Sequence, residues 1–258
     1  MKKVTAVLCA LAAMLMLAAG CGSDAKKDAA PAKADTKKVL TVGTNPSFAP
    51  FEFTDKQDGK MMGFDIDLMN ALAKKAGYEK VEFKSIPFDG LIPSLEGGNI
   101  DAIITGMSIT DARKQKVNFT EPYYESGLMA IVGKNNDSIK GLEDLKGKTI
   151  AVQIGTIGAD EAHKIEGATV KTFDSSDLAC LELKNGGADA VISDLPVLQY
   201  FLKQGGSEYA KSVGTPKKGD FYGIAVGKKD TATLDKLNKA LAEMKKDGEY
   251  QKIYDKWF

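Results

Sequence analysis

Between Val39 and Phe258 the apolar residues fall into short continuous runs that alternate with stretches of helical period. The first series reads as a strand ("VLTVGT", 39–44), a helix ("GFDIDLMNALAKKAGY", 63–78), a strand ("KVEFKSI", 80–86), a short helix closed by glycine ("DGLIPSLEGG", 89–98) and a strand ("IDAIITG", 100–106). In the longer helix Ile66, Leu68, Met69, Leu72 and Ala76 recur on one face, Asp65 and Asp67 suit the positive amino end, and Gly77 is the stop. A second series starts near Gly127: strands "GLMAIVG" (127–133) and "KTIAVQIGT" (148–156), helix "ADEAHKIEG" (159–167), strand "ATVKTF" (168–173), helix "SSDLACLELKNGG" (175–187), strand "ADAVISD" (188–194) and helix "LPVLQYFLKQ" (195–204). The strand "YGIAVGKK" (222–229) follows, then a helical stretch from Thr231 to Phe258 broken at Gly248. This alternation predicts an α/β protein with a largely parallel sheet. Each series holds a helix ended by glycines and then "DAII" or "DAVI" (101–104, 189–192), so two similar lobes with a cleft between them are expected.

The residues before Val39 follow another pattern. Lys2 and Lys3 precede an alanine-rich apolar run, Val4 to Ala19, too short for a membrane span and suited to a secretory signal. It ends in "LAAGCGS", which resembles a bacterial lipobox, so residues 1–20 are expected to be a lipoprotein signal peptide and Cys21 the lipid-bearing anchor to the membrane. Residues 21–38, rich in Ala, Lys and Asp, cannot bury enough surface to fold and read as a flexible tether.

Of the three cysteines, Cys9 lies in the signal and Cys21 at the anchor, which leaves Cys180 as a buried structural thiol and excludes a disulfide within the mature domain. Lys plus Arg (35) balance Asp plus Glu (35), so no basic footprint for nucleic acid exists and a small partner is expected. His163 is the only histidine, which argues against a catalytic triad and a zinc site; no metal and no cofactor are expected. "GLEDLKGKT" (141–149) nearly imitates a phosphate loop but leads into a strand, and "DKQDG" (55–59) lacks the remaining ligands of a calcium loop; both read as turns.

One stretch changes character halfway. In "IDAIITGMSITDARKQK" (100–116) a buried strand gives way to small and hydroxylated residues and then to Arg113. A guanidinium just past the carboxyl end of a strand is either a fork waiting for an anion or a solvated arginine in the first turn of a surface helix. At this point "VGTNPSFAPFEF", "GFDIDLMNALAKKAG", "FDGLIPSLEGGNIDAIITGMSITDARKQKVNFTEPYY", "GGADAVISD" and "GEYQKIYDKWF", in that order, resemble the solute-binding proteins of polar amino acid ABC importers, extracellular solute-binding protein family 3, over essentially Val39 to Phe258.

The resemblance implies a two-lobed periplasmic-binding-protein fold (type II, Venus flytrap) with two hinge crossovers: residues 39–124 and 222–258 in lobe 1, 125–221 in lobe 2, hinges near 122–126 and 217–222. It implies that Arg113, helped by the Ser108 backbone N–H and by the helix start at Thr156 and Ile157, takes a ligand α-carboxylate, and that Asp194, with the Gly106 carbonyl and the Ser108 hydroxyl, takes the α-ammonium. Thr105 lines the same floor. Phe48 and Phe88 match positions that sandwich the ligand side chain, and Asn45 and Gln153 those that read its far end. A neutral amide at position 45 favours an uncharged polar ligand such as glutamine, while arginine or lysine can be held by aromatic faces and neutral oxygens. The implied protein is a monomeric, lipid-anchored, extracytoplasmic receptor that delivers an amino acid to the permease subunits of an ABC transporter. The competing reading is a cleft enzyme of the cyclohexadienyl-dehydratase type, which would need a cleft acid or base without a salt-bridge partner.

Overall fold

The computed structural model describes residues 38–258; the expected signal peptide, Cys9, the Cys21 anchor and all of the tether but Lys38 lie outside the described residues. The chain runs β1 (Val39–Thr44), β2 (Ser47–Phe48), β3 (Glu52–Thr54), β4 (Met61–Met62), α1 (Phe64–Lys75), β5 (Lys80–Ser85), α2 (Phe88–Glu96), β6 (Ala102–Ile103), α3 (Asp111–Lys116), β7 (Val117–Phe119) and β8 (Tyr124–Gly133). It continues through β9 (Thr149–Gln153), α4 (Ile157–His163), β10 (Thr169–Phe173), α5 (Ser176–Lys184), β11 (Ala190–Asp194), α6 (Leu195–Lys203), β12 (Ala210–Tyr222), β13 (Ala225–Gly227), α7 (Thr231–Asp247) and α8 (Glu249–Trp257).

Two five-stranded sheets result, ordered β5-β1-β6-β13-β7 and β10-β9-β11-β8-β12, with a small sheet β2-β3-β4 beside the first. The strands joined by helices, β5-β1-β6 and β10-β9-β11, are parallel, and the fourth strand of each sheet, β13 or β8, is antiparallel to its neighbours. The expectation of a largely parallel sheet is thus corrected to two mixed sheets. The reason is the route of the chain. It leaves the first sheet after β7, enters the second as β8, and returns after β12 as β13, and these two entering strands, β8 and β13, run against the helix-connected ones.

The repeat seen in the sequence has a physical counterpart. Asp101 precedes β6 and takes a hydrogen bond from the Thr41 N–H at 2.9 Å, while its own N–H donates to the Thr41 carbonyl at 2.7 Å. Asp189 does the same to Thr149 in the second sheet, both bonds being 2.8 Å. Each aspartate clamps the start of the third parallel strand to the first and so sets the register that lines up their carboxyl ends.

Local signals place the helices. Gly63 opens α1 at φ 134°, and a Cβ there would press into the Phe51 carbonyl, so glycine is required. Thr110, Ser175 and Asp230 cap α3, α5 and α7 through their side chains. Gly248, at φ 83°, separates α7 from α8, and α8 docks on α1 through bonds from Lys256 Nζ (2.7 Å) and Trp257 Nε1 (2.8 Å) to Asp67. Cys180 is buried on α5, as expected, and burial pushes its thiol up to about 12.

At the crossovers β8 and β12 pair with each other, Tyr124 opposite Tyr222 and Ser126 opposite Asp220. An aromatic cluster covers them: the Tyr124 and Tyr222 rings stack at 5.6 Å, and Phe51 and Phe258 lie 4.8 Å and 5.0 Å from Tyr124. No helix among the described residues is long and apolar enough to cross a membrane.

Candidate functional site

In both sheets the carboxyl ends of the parallel strands point at the space between the sheets, where open α/β sheets bind their ligands. Asn45 follows β1; Thr105, Gly106 and Ser108 follow β6; Gln153 ends β9, with Thr156 and Ile157 just beyond; Asp194 ends β11. Together with Phe48, Phe88 and Arg113 these residues line one narrow pocket, with room for a cavity of only about 10 Å³ in this arrangement. The structure therefore brings every sequence-predicted ligand-binding residue to one place, while Cys21 lies outside the described residues. It adds Glu52 to the lining, which sequence reasoning missed.

Arg113 sits in the first turn of α3, but its side chain turns inward. It donates to the Ser108 carbonyl at 2.7 Å and, across the cleft, to the Gly155 carbonyl at 3.0 Å, and its guanidinium carbon lies 5.2 Å from the centre of the Phe88 ring. Burial pulls its pKa down, opposed by the charges of Asp194, Asp220 and Asp160. An anion placed against it would meet a partly desolvated, rigidly held cation.

One wall is built from neutral amides. Gln153 Nε2 donates to Asn45 Oδ1 at 2.9 Å across the cleft and to the Asp174 carbonyl at 3.2 Å, while its Oε1 accepts from Ser176 at 3.0 Å. Asn45 Oδ1 also accepts from Ser47 at 2.7 Å, and its Nδ2 donates to the Ile86 carbonyl at 3.3 Å. Both amides are thereby fixed in orientation, with Asn45 Oδ1 between them. On the second sheet's side, Thr156 caps α4: its hydroxyl accepts from the Ala159 N–H and donates to the Gln153 carbonyl, tying the helix start to the amide wall.

Asp194 occupies the N-cap position of α6 without making a side-chain cap bond. It is 5 % exposed, with Ser126 Oγ 3.5 Å from Oδ1, and burial and neighbouring Asp220 raise its pKa well above the ordinary carboxylate value. The helix-cap explanation for this aspartate is thus set aside by its geometry. The Ser108 hydroxyl, expected beside Asp194, instead donates to Asp220 at 3.2 Å.

A second carboxyl pair lies under the floor. Glu52 and Asp65 are both fully buried; Glu52 Oε1 accepts from Thr105 at 2.6 Å, and Asp65 Oδ2 accepts from Tyr123 and from the Gly106 N–H, both at 2.8 Å. Glu52 Oε2 and Asp65 Oδ1 have no donor among the described residues, yet the two carboxyls are in hydrogen-bonding contact. One proton held between them satisfies both. Burial raises Glu52 well above its ordinary value and Asp65 to about 6, and the two titrate as a coupled pair. The consequence is a fixed Gly106, whose φ of 55° exposes its carbonyl and whose missing Cβ leaves room for the Phe48 ring. The signal for Glu52 in the sequence was an acid between Phe51 and Phe53, which pattern reading treats as an exposed strand position. Among the described residues no group of three or more His, Cys, Asp or Glu side chains is placed to hold a metal ion.

Comparison with known proteins follows this geometry. The pattern of the bacterial extracellular solute-binding proteins, family 3, matches residues 40–258. A probable histidine-binding protein of Neisseria gonorrhoeae is 40% identical over 257 residues, which is 98% of this chain and 94% of that protein. The structure of an ancestral arginine-binding protein bound to arginine is similar at a TM-score of 0.83 and 50% identity, covering 86% of this chain and 99% of the other. The structure of an ancestral arginine-binding protein bound to glutamine gives a TM-score of 0.83 and 51% identity, with 86% and 98% coverage.

Proposed function

Because the chain belongs to the bacterial extracellular solute-binding proteins, family 3, we propose that its cleft captures a polar amino acid whose side chain ends in N–H donors, arginine or glutamine, for an ABC importer. The observation that carries the choice of ligand is the bridge of neutral amides from Gln153 to Asn45 in the pocket wall. Its carbonyl oxygens accept from a guanidinium or from a carboxamide, and it holds no acid that would demand a cation. The names of similar proteins, histidine-binding, arginine-binding and bound to glutamine, support the same class of ligand.

In this reading Arg113 takes the α-carboxylate in a bidentate pair and Asp194 takes the α-ammonium together with the Gly106 carbonyl. Phe48 and Phe88 flank the side-chain stem. The lobes are residues 39–124 with 222–258, and 125–221; ligand contacts from both favour the closed arrangement, which the permease reads. Residues 1–20 direct secretion and lipid on Cys21 anchors the monomer at the membrane. No reaction is assigned to the cleft. Its two carboxyls, Asp194 and Glu52, are committed to the ammonium and to Asp65.

The test is a thermal-shift screen of the purified protein against the common amino acids, with Arg113→Ala alongside. Arginine and glutamine are expected to stabilise the wild type, by about 2.7 kcal/mol at a hundredfold excess over Kd, and neither the variant. If no amino acid stabilises the wild type, the reading is wrong, and cyclic carboxylic acids become the ligands or substrates to try.

A further inference from the structure

The amide wall raises a problem of charge. Arginine and glutamine differ by one positive charge, and the residues assigned to their side chains, Asn45, Gln153, Phe48 and Phe88, carry none, while Glu52, the other acid of the lining besides Asp194, is buried beneath Thr105 beside Asp65. A partly buried guanidinium without a counter-charge is costly, so a site that takes both ligands needs a charge that adjusts.

The second crossover supplies a candidate. Asp220 lies on β12 opposite Ser126 of β8 and accepts from Ser108 Oγ at 3.2 Å, while Ser126 Oγ lies 3.5 Å from Asp194 Oδ1, so the two carboxyls flank one serine and feel each other's charge. Burial and the neighbouring carboxyl push Asp194 well above the ordinary carboxylate value, and burial raises Asp220 as well, which favours one proton on the pair and a single negative charge.

The surrounding groups come from every side. Arg113 of α3 faces both carboxyls, and Asp160 of α4 faces Arg113 in turn. Tyr222, next but one on β12, gives its hydroxyl to Ser126 at 3.0 Å and faces Asp194 as a buried phenol. Glu52 of β3 feels Asp194 from below and shares its own proton with Asp65 of α1. Lys217, on the same strand, is held by Glu161 at 2.8 Å.

We propose that the Asp194–Asp220 pair is the adjustable counter-charge of the site, keeping its shared proton when the ligand is a zwitterion such as glutamine and releasing it when the ligand side chain is cationic. The proposal rests on the assignment of Arg113 and Asp194 to the ligand's α-groups. The charges then balance in both cases. With glutamine, the ligand carboxylate offsets Arg113 and the ammonium offsets the singly charged pair. With arginine, the extra guanidinium charge is offset when the pair's proton passes to solvent and both carboxyls are ionised. Asp220 is a positioning residue here: it acts through Asp194 and sets how many charges the site holds.

Calorimetry of the purified protein decides this. Arginine and glutamine are each titrated at one pH in buffers of differing ionisation enthalpy, so that the buffer dependence of the heat counts protons released. Arginine is expected to release about one proton more than glutamine, and its affinity to rise about tenfold per pH unit relative to glutamine's while the pair titrates. In Asp220→Asn, whose amide donates to Asp194 but cannot give up a proton, the difference in proton count should vanish. Arginine should then weaken about tenfold more than glutamine, provided thermal unfolding shows the variant folded. Equal proton counts for the two ligands in the wild type refute the proposal while leaving the site assignment standing. Persistence of the difference in folded Asp220→Asn also refutes it, and moves the proton to Glu52 and Asp65. Binding of only one ligand refutes the need for an adjustable charge, and binding of neither overturns the functional reading itself.

Discussion

Removing one oxygen tests the physics of the pocket floor. Tyr123, 2 % exposed on the first crossover, donates to Asp65 Oδ2 at 2.8 Å, and Asp65 in turn holds the Gly106 N–H that shapes the site. Tyr123→Phe keeps the ring and deletes this bond. Hydrogen bonds to charged groups contribute about 1.5–3 kcal/mol and those to neutral groups about 0.5–1.5 kcal/mol. The cost of the substitution therefore depends on whether Asp65 is ionised.

Burial raises Asp65 from 3.8 to about 6, with the bonds from Tyr123 and Gly106 and the contact with Glu52 pulling it back. The Tyr123 bond favours the charged form, so its contribution is largest above about pH 6 and shrinks as Asp65 is protonated below it. The raised pKa itself acts in the opposite sense. Between about 4 and about 6 the folded state binds more protons here than the unfolded chain, so this group lowers the stability of both proteins as pH rises through that window. Their difference isolates the tyrosine. Urea unfolding should show Tyr123→Phe less stable than wild type by about 2 kcal/mol near pH 7.5 and by about 1 kcal/mol near pH 5. A difference that is equal at the two values, or larger in acid, would refute the picture of an ionised Asp65 fed by Tyr123.

Three further outcomes follow from other parts of the structure. Gly106→Ala forces a side chain into φ 55° and brings a Cβ to 2.7 Å from the Phe48 ring; a loss of about 1–3 kcal/mol in urea unfolding and a weaker ligand response in calorimetry are expected. Asn45→Asp puts an acid in the pocket wall, and competition titrations should show arginine gaining on glutamine by about tenfold or more. Cys180, 3 % exposed and pushed up to about 12, should resist alkylation near neutral pH until denaturant is added, read by mass mapping of its own peptide.

How much of this was legible in the sequence depends on how local the cause was. Helices with a periodic face and a stop residue came through nearly to the residue: α1 ends before Gly77, and α7 ends at Gly248. Strands whose ends are set by tertiary contacts did not. The run 100–106 keeps only Ala102–Ile103 as β6, because beyond Ile103 the chain turns through Gly106 to form the pocket floor. The runs 148–156 and 222–229 contract to β9 and β13 for the same kind of reason, with residues at their ends given to the site or to the crossover. The longest strand, β12, was not anticipated at all. Its Gly214, Pro216 and Gly219 hide any alternation, and its register shifts twice against β8, so pairing with a distant strand rather than local pattern makes it a strand.

The site divides along the same line. Asp194, Asn45 and Gln153 could be marked because each stands at or just past the end of a strand that its own neighbours reveal, Arg113 because it opens the helix after such a strand, and an ordered set of matching segments gave them roles. Glu52 and Asp220 could not, because nothing within ten residues of either announces a second carboxyl. Asp65 lies on α1 and Asp194 on β11, and only the packing of the sheets brings each against its partner. Pattern reading assigns an acid in a strand to solvent, since an isolated buried carboxylate is too costly to keep. A shared proton removes that objection by making one member of each pair neutral. The same proton makes the pair's charge depend on what lies beside it. In Glu52 and Asp65 the neighbours are fixed donors, Thr105, Tyr123 and Gly106, so the pair's charge follows pH rather than the ligand and the pair serves as a strut. Of Asp194 and Asp220 the first lines the pocket, and there, in the proposal, the pair's charge follows what binds.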